Sequence, residues 1–160
     1  MPTIIDGHNL IPKVRGLSLQ RLDDEMDLIQ RLQTYCRVRR KSVEVYFDKG
    51  APGRQGARSF GAVKAHFVSE SSNADTAIRQ ALHKLGKKAR NWEVVSSDRQ
   101  VQSEARAAGV KVVSSEEFAA QLDDALLQAV KGAGESQGLT ADEVDHWLDV
   151  FNRGEGDQRD

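Results

Sequence analysis

Short apolar runs alternate with longer segments of helical periodicity along most of this 160-residue chain. The runs are typical of buried β-strands, and the longer segments place apolar residues on one face of a helix. Strands that alternate with helices form a parallel sheet with right-handed crossovers. The pattern therefore predicts an α/β fold, a three-layer α/β/α domain around a mainly parallel sheet of five strands, at 3–5, 43–47, 62–68, 93–96 and 110–113.

Composition narrows the class of protein. The hydrophobic fraction of 39% and the charged fraction of 29% fit one globular domain with a full core. The single cysteine, Cys36, excludes an internal disulfide and a cysteine-based zinc cluster, and we expect it to be buried on a helix. No apolar run approaches membrane-spanning length, and no secretory leader pattern opens the sequence, so we expect a cytoplasmic protein.

The end of the chain is predicted to be organised separately from the main domain, residues 1–130. Residues 131–139 have the composition of a flexible linker. Thr140 and Glu143 form a capping box that begins a short amphipathic helix at 140–152, which would dock on the main domain or on a partner. Residues 153–160 are predicted to be a disordered tail.

Charge is unevenly distributed along the sequence. Residues 37–64 hold eight lysines and arginines against two acids, a net charge of +6. Residues 135–160 hold eight acids against two arginines, a net charge of -6, which is typical of a solvated chain end. A basic segment suits a polyanionic substrate, although a solvated charged face would have the same composition.

Four aspartates follow predicted strands or begin predicted helices. Because the carboxyl ends of parallel strands share the sheet edge that carries the ligand site, we expect these acids to meet there. Crowded carboxylates repel one another, and a hard divalent cation is the usual reason to tolerate them. The sequence therefore predicts an Mg²⁺- or Mn²⁺-dependent enzyme that acts on phosphate esters, with catalytic and metal-ligating roles at Asp6, Asp48, Asp75 and Asp98.

Each of these acids also has a simpler interpretation. Asp6 and Asp48 could end strands in turns. Asp75 could complement a helix dipole, worth about 0.3–1 kcal/mol. Asp98 could cap a helix. Only the set of four together favours a metal site.

Six further residues are candidates for substrate binding. Beside Asp6, Gly7 would permit a tight turn, and Asn9 could orient a carboxylate, a water or a phosphate oxygen. Ser97 could orient an acid or contact phosphate, and Arg99 could contact phosphate with its guanidinium fork. Residues 49–58 form a predicted loop rich in glycine and arginine. The predicted substrate-binding set is Asn9, Ser97, Arg99, Arg54, Arg58 and Lys64.

Four motifs, in order, resemble those of the NYN domains, and more closely the YacP-like branch, which has the PIN-like nuclease fold. They are Asp-Gly-His-Asn at 6–9, Phe-Asp at 47–48, Ser-Glu-Ser-Ser-Asn-Ala-Asp at 69–75 and Ser-Ser-Asp-Arg at 96–99. The resemblance spans residues 1–130 and implies a five-stranded parallel sheet and metal-dependent endoribonuclease activity. It implies that Asp6, Asn9, Asp75 and Asp98 are site residues, with Asp48 as the second-strand aspartate. It also allows a link to translation, with the ribosome as a partner, or to mRNA decay.

The sequence departs from the family pattern at two positions. Thr76 stands where relatives often have a second acid, and His8 stands where they commonly have tyrosine or serine. The leading hypothesis is an endoribonuclease that prefers single-stranded RNA and uses metal-activated water. The alternative, motivated by Thr76, is an RNA- or ribosome-binding protein with a degenerate catalytic site. A metal-dependent phosphatase or a structure-specific DNA nuclease is a third hypothesis, because a fold does not determine function.

Overall fold

The computed structural model describes residues 2–17, 24–48, 56–69 and 73–132. Arg54 and the predictions for residues 133–160, including the C-terminal helix and the tail, lie outside the described residues. Within them, the strands are β1 (Thr3–Asp6), β2 (Val43–Phe47), β3 (Gly56–Phe60), β4 (Val63–Phe67), β5 (Glu93–Val95) and β6 (Lys111–Val113). The helices are α1 (Gly7–Leu10), α2 (Asp24–Arg39), α3 (Ala74–Leu85), α4 (Arg99–Ala108) and α5 (Ser115–Gly132), with 3₁₀ segments at Ile11–Lys13 and Gly86–Asn91.

The sheet has six strands in the order β3-β4-β2-β1-β5-β6. All neighbouring pairs are parallel except β3 and β4, which form an antiparallel hairpin. The predicted α/β class is therefore confirmed, but the number of strands was wrong by one. The additional strand, β3, includes residues 56–58 of the predicted loop, and four of its five residues are exposed. An edge strand that buries so little lacks the apolar alternation by which strands are recognised in a sequence.

Two hydrophobic clusters fill the space on either side of the sheet. The larger cluster joins alternate strand residues such as Ile5, Val45 and Phe47 to α2 and α5. The smaller joins the intervening residues, including Ile4 and Val94, to α3 and α4. The sheet is therefore the middle of three layers, and its central strands are buried on both faces, as parallel sheets require.

Several local predictions are confirmed. The side chain of Asn73 accepts a hydrogen bond from the Thr76 amide at 2.8 Å and caps α3. Gly109, at φ 86°, ends α4 in the left-handed conformation that favours glycine. Cys36 is buried, and burial raises the pKa of its thiol to about 11. The last described helix continues through Lys131 and Gly132, so the predicted linker does not begin at 131.

No helix in the described ranges is long and apolar enough to cross a membrane.

Gly7 has a different role from the predicted one. It is not among the glycines with positive φ, and it begins α1 rather than a tight turn. A Cβ atom at this position would lie 2.5 Å from the Phe47 ring and 2.8 Å from the Tyr46 carbonyl oxygen. Glycine is therefore needed because α1 packs directly on the backbone of β2.

We expect Gly7→Ala to destabilise the fold by about 1–3 kcal/mol, because the added methyl group must displace a buried ring and a carbonyl group. Urea unfolding of the variant and of the wild type measures this difference. Gly132→Ala is the matched control, since a Cβ there meets nothing within 4 Å. Equal stability of Gly7→Ala and the wild type would contradict the close packing of α1 on β2.

Candidate functional site

The four predicted aspartates lie at the carboxyl edge of the sheet. Asp6 is the last residue of β1 and is only 5% exposed. Asp48 directly follows β2, which pairs with β1. Asp98 precedes α4, after β5 on the other side of β1. Asp75, in the first turn of α3, belongs to a helix that packs on both β1 and β2.

The charges of these acids act on one another. Burial, followed by the negative charges of Asp75 and Asp48, raises the pKa of Asp6 from 3.8 to about 6. Burial also raises the pKa of Asp75, and the charges of Asp98 and Asp48 add to the effect. Asp75 therefore interacts with each of the other three acids. The carboxylate of Asp75 is thus within electrostatic range of the other three, and Asp6 and Asp48 are within range of each other.

Two of the four carboxylates also contact the beginnings of helices. Oδ1 of Asp48 accepts a hydrogen bond from the Ala74 amide, the first amide of α3. Oδ1 of Asp98 accepts hydrogen bonds from the amides of Gln100 and Val101, at 2.9 and 3.1 Å. The simpler interpretation of Asp98 as a cap is therefore correct, and it leaves the second oxygen of the same carboxylate available.

Within residues 2–17, 24–48, 56–69 and 73–132, no group of three or more histidine, cysteine, aspartate and glutamate side chains is placed so that it could hold a metal ion. The donor chemistry nevertheless fits a hard cation, because all four side chains present carboxylate oxygens. Asp75 forms no hydrogen bond to any described residue, so both of its oxygens are available. The acids are neighbours that repel one another rather than a closed set of ligands.

A network of hydrogen bonds holds the edge together behind the acids. The side-chain oxygen of Asn9 accepts hydrogen bonds from the Ser97 amide at 2.8 Å and from the Ser115 hydroxyl at 2.6 Å. The Ser97 hydroxyl accepts from the Ser115 amide at 3.0 Å and donates to Glu116 at 2.6 Å. Asn9 and Ser97 thus connect α1 to the starts of α4 and α5. Their hydrogen bonds hold the segment that carries Asp98, so the two residues position an acid and are not arranged to contact a ligand.

Two polar residues of the edge were not singled out from the sequence. The buried hydroxyl of Ser96 donates to Asp6 at 3.4 Å and accepts from the Asp98 amide at 3.1 Å, so it links two of the acids. Glu116 lies in the first turn of α5 and pairs with Lys13 at 3.4 Å. The one feature of the sequence that could have indicated Ser96 and Glu116 is their position at or shortly after the end of a predicted strand, which is also the position of Asp98.

His8 is held by a partner far along the chain. Its Nε2 atom lies 3.0 Å from a carboxylate oxygen of Glu25 on α2, and its ring lies 5.6 Å from that of Phe47. The hydrogen bond to Glu25 raises the pKa of His8, and the charges of Glu25, Asp48 and Asp6 add to the effect. His8 therefore places a readily protonated group beside the acids.

The predicted basic residues are not brought together. Arg58 pairs with Ala65 and Lys64 pairs with Ser59 in the β3-β4 hairpin, so the two cations lie on opposite faces of the sheet. Arg58 stacks over the Phe60 ring at 5.6 Å. Of the five described residues in the predicted set, Arg99 is the one cation beside an acid of the edge: it is exposed at the start of α4, next to Asp98.

The raised pKa of Asp6 predicts a pH-dependent stability. The folded protein keeps the Asp6 proton up to about pH 6, whereas the unfolded chain releases it near 3.8. Stability is therefore lost as pH rises between these values, and the loss is complete above about 6. We expect Asp6→Asn to gain up to about 3 kcal/mol over the wild type at pH 7 and little at pH 3.5.

Urea unfolding in EDTA between pH 3.5 and 8 tests this prediction. Asparagine keeps an oxygen that can accept from Ser96, so the substitution removes mainly the charge. A stability difference that is constant across the pH range would show that Asp6 does not carry the burial and repulsion described above.

Comparison with known proteins gives the family of the chain. The sequence model of the YacP-like NYN domain matches residues 3–150. The crystal structure of Rae1 (YacP) from Bacillus subtilis is similar, with a TM-score of 0.72 and 22% identity over 98% of this chain and 97% of that chain. The structure of its tryptophan-to-leucine variant gives a TM-score of 0.64 and 22% identity over 99% of both chains. At this level of identity the likeness establishes a shared fold. No curated protein matches the chain significantly. Because the family match covers far more than half of the sequence, this protein belongs to the YacP-like NYN domain family, a family of nucleases.

Proposed function

We propose that the protein is a metal-dependent endoribonuclease that hydrolyses phosphodiester bonds of RNA at the carboxyl edge of its sheet. The observation that carries the proposal is the gathering of four carboxylates at one edge, where burial first, and then the charges of neighbouring acids, raise the pKa values of Asp6 and Asp75. Structural acids are usually paired with cations, whereas clusters of acids with perturbed pKa values are typical of functional sites. Membership in a nuclease family supports hydrolysis of a nucleic acid.

The four aspartates would hold Mg²⁺ or Mn²⁺. Asp48 and Asp98 each accept a hydrogen bond from a helix amide with one carboxylate oxygen, which leaves the other oxygen available to a cation. Asp75 has both oxygens available. When bound, the cation would polarise a water molecule and neutralise charge on the scissile phosphate. The repulsion among the acids favours such a cation, because one bound positive ion offsets the negative charges that Asp75 and Asp48 place beside Asp6.

The chain itself supplies an anion contact and rigidity. Without a cation, Asp6 holds a proton up to about pH 6, so metal binding must displace that proton and should become tighter as pH rises. Arg99 extends into solvent beside Asp98, where its guanidinium group could contact a phosphate. Asn9 and Ser97 bind the loop that carries Asp98 to α1 and α5, which keeps the acids in place.

A second candidate function is RNA binding without cleavage. It is favoured by Thr76, which replaces an acid of the family pattern, and by the absence of a ready group of three metal ligands in the described ranges. The two functions differ in their response to a chelator, because a binding protein should hold RNA equally well in EDTA. The link to the ribosome and the cytoplasmic location rest on the sequence alone and stay predictions.

We expect Asp75→Asn to lower the rate of RNA cleavage by about 100-fold or more while the fold is kept. Asp75 forms no hydrogen bond with the described residues, and the repulsion from Asp98 and Asp48 that its substitution relieves is larger than the attraction to Arg79 that it removes. Asp98→Asn should lower the rate of cleavage by a similar factor. It should also keep the fold, because asparagine caps helices as well as aspartate does. Asp124→Asn, which removes an exposed carboxylate from α5, is the control and should cleave like the wild type.

The measurement is cleavage of a mixed-sequence single-stranded RNA in Mg²⁺, Mn²⁺ and EDTA, with urea unfolding of each variant alongside. Cleavage that requires a divalent cation, Asp75 and Asp98 supports the proposal. Full activity of a stable Asp75→Asn variant would exclude the role given to this carboxylate. Absence of cleavage in every lane, with RNA binding unchanged by EDTA, would favour the second candidate.

A further inference from the structure

A second charged surface lies on α3 and the 3₁₀ segment that follows it. Residues 79–92 contain five lysines and arginines and no acid. Of these, Arg79 pairs with Glu104 of α4 at 2.9 Å. Lys84, Lys87, Lys88 and Arg90 are exposed, and none has an ion-pair partner in the described part of the chain. This stretch is less conspicuous in the sequence than residues 37–64, which carry more positive charge.

The 3₁₀ segment is anchored, so its cations project from a fixed backbone. Gly86 adopts φ 53°, a conformation that lets the chain leave α3 sharply. Ala89 is only 2% exposed and packs in the smaller hydrophobic cluster. The Trp92 amide then donates to the Ala89 carbonyl at 3.1 Å and closes the segment. Cations held in this way lose less conformational freedom on binding than cations on a loose loop.

Two neighbouring elements extend the same surface. Arg106 lies in the last turn of α4, and Lys111 begins β6. The Lys111 amide donates to the Trp92 carbonyl at 3.2 Å, which fixes this strand beside the end of the 3₁₀ segment. Both side chains are exposed and have no ion-pair partner among the described residues. We call this surface the basic end, which consists of Lys84, Lys87, Lys88, Arg90, Arg106 and Lys111.

A groove between α3 and α4 leads onto the basic end. Its volume is about 620 Å³, and Leu82 and Ala108 are among its lining residues. The Arg79–Glu104 pair crosses it, and each partner neutralises the other. Lys84 and His83 line the groove as well, so the charge that remains there is positive.

The basic end and the acids lie at opposite edges of the sheet. The helices return from the carboxyl edge to the amino edge of the parallel strands, so the last turns of α3 and α4 lie at the amino edge. The five-residue strand β2 spans about 16 Å at 3.3 Å per residue, which separates the two edges. The basic end is therefore not part of the acidic site and cannot contact the scissile phosphate.

We propose that the basic end binds the phosphate backbone of RNA at a point remote from the cleavage site. The choice of RNA among polyanions rests on the proposed function, while the location and the charge of the surface do not. Phosphate contacts require cations and no shape complementarity to bases. The six lysines and arginines of the basic end, which have no ion-pair partner among the residues that the structure describes, meet this requirement. A protein partner would need an apolar centre. Within the described part of the chain, the large exposed apolar residues are Met26 and Leu127, on α2 and α5 rather than here.

Binding at the basic end is sequence-independent, depends on salt and needs no divalent cation. A long RNA is held at both edges, whereas a short oligonucleotide that fits the acidic edge is not. Removing the positive charge of the basic end should therefore weaken the binding of long RNA and leave the turnover of a short oligonucleotide unchanged.

The test compares two charge reversals of equal size. Lys87→Glu/Lys88→Glu removes two cations of the basic end, and Arg37→Glu/Lys131→Glu removes two exposed cations from α2 and α5, on the other face of the sheet. Binding of a long mixed-sequence RNA is measured in EDTA over a range of KCl concentrations. The slope of log K against log[KCl] should become shallower by about 1.4–1.8 for the first pair, since each phosphate that is no longer neutralised lowers it by about 0.7–0.9. The control pair should change the slope by much less.

Each outcome decides a different question. Equal slopes for the two variants would overturn the proposal, since total charge and not this surface would then determine binding. Binding of polyglutamate as tight as that of RNA, and equally sensitive to Lys87→Glu/Lys88→Glu, would overturn the choice of RNA as the partner. Because binding is measured without metal, it does not depend on cleavage: a shallower slope for Lys87→Glu/Lys88→Glu, together with no cleavage by the wild type in Mg²⁺ or Mn²⁺, would contradict the nuclease function and leave the binding surface supported.

Discussion

The parallel pairing of β2, β1 and β5 is the constraint on which the candidate site depends. Ile5 is in register with Val45 on one side and with Val95 on the other, so the three strands end together. The polar residue that follows each strand is therefore delivered to one edge, whatever the length of the intervening chain. The same geometry brings the amino ends of α3, α4 and α5 to this edge, where their free amides can stabilise negative charge. Asp48 and Asp98 use this stabilisation. Asp6 caps none of these three helices, and its burial at the end of β1, together with the charges of Asp75 and Asp48, raises its pKa to about 6 even though the Asn9 backbone amide donates a hydrogen bond to it.

Much of the fold, and the placement of the four acids at one edge of the sheet, could be predicted from the sequence because both depend on local patterns of strands and helix starts. Apolar runs, the cap at Asn73 and the glycine stop at Gly109 each involve residues within a few positions of one another. The role of Asn9 could not be read in this way, because one of its partners, Ser115, is 106 positions away. The same holds for Gly7, whose restriction comes from Phe47 on another strand.

The basic residues show a second limit of sequence reasoning. The net charge of a sequence segment does not show to which face of the fold its side chains point. In a hairpin, adjacent positions point to opposite faces, so Arg58 and Lys64 separate although both belong to the charged segment. The cations of the basic end arise from several elements, and they form one surface only because α3, the 3₁₀ segment, α4 and β6 meet at the amino edge. Topology, more than composition, determines where the positive charge of this protein lies.

The separation of charge has a physical consequence for how a polyanion would approach. Without a cation, the acidic edge repels phosphate, and the proton on Asp6 relieves only part of the crowding below about pH 6. A proton and a divalent cation are alternative ways to neutralise the same carboxylates, so they compete, and only the cation also attracts phosphate. The basic end attracts a polyanion under either condition. A polyanion would then bind in two separate steps. Salt concentration governs its initial binding to the basic end, whereas metal concentration and pH govern its later binding to the acidic edge.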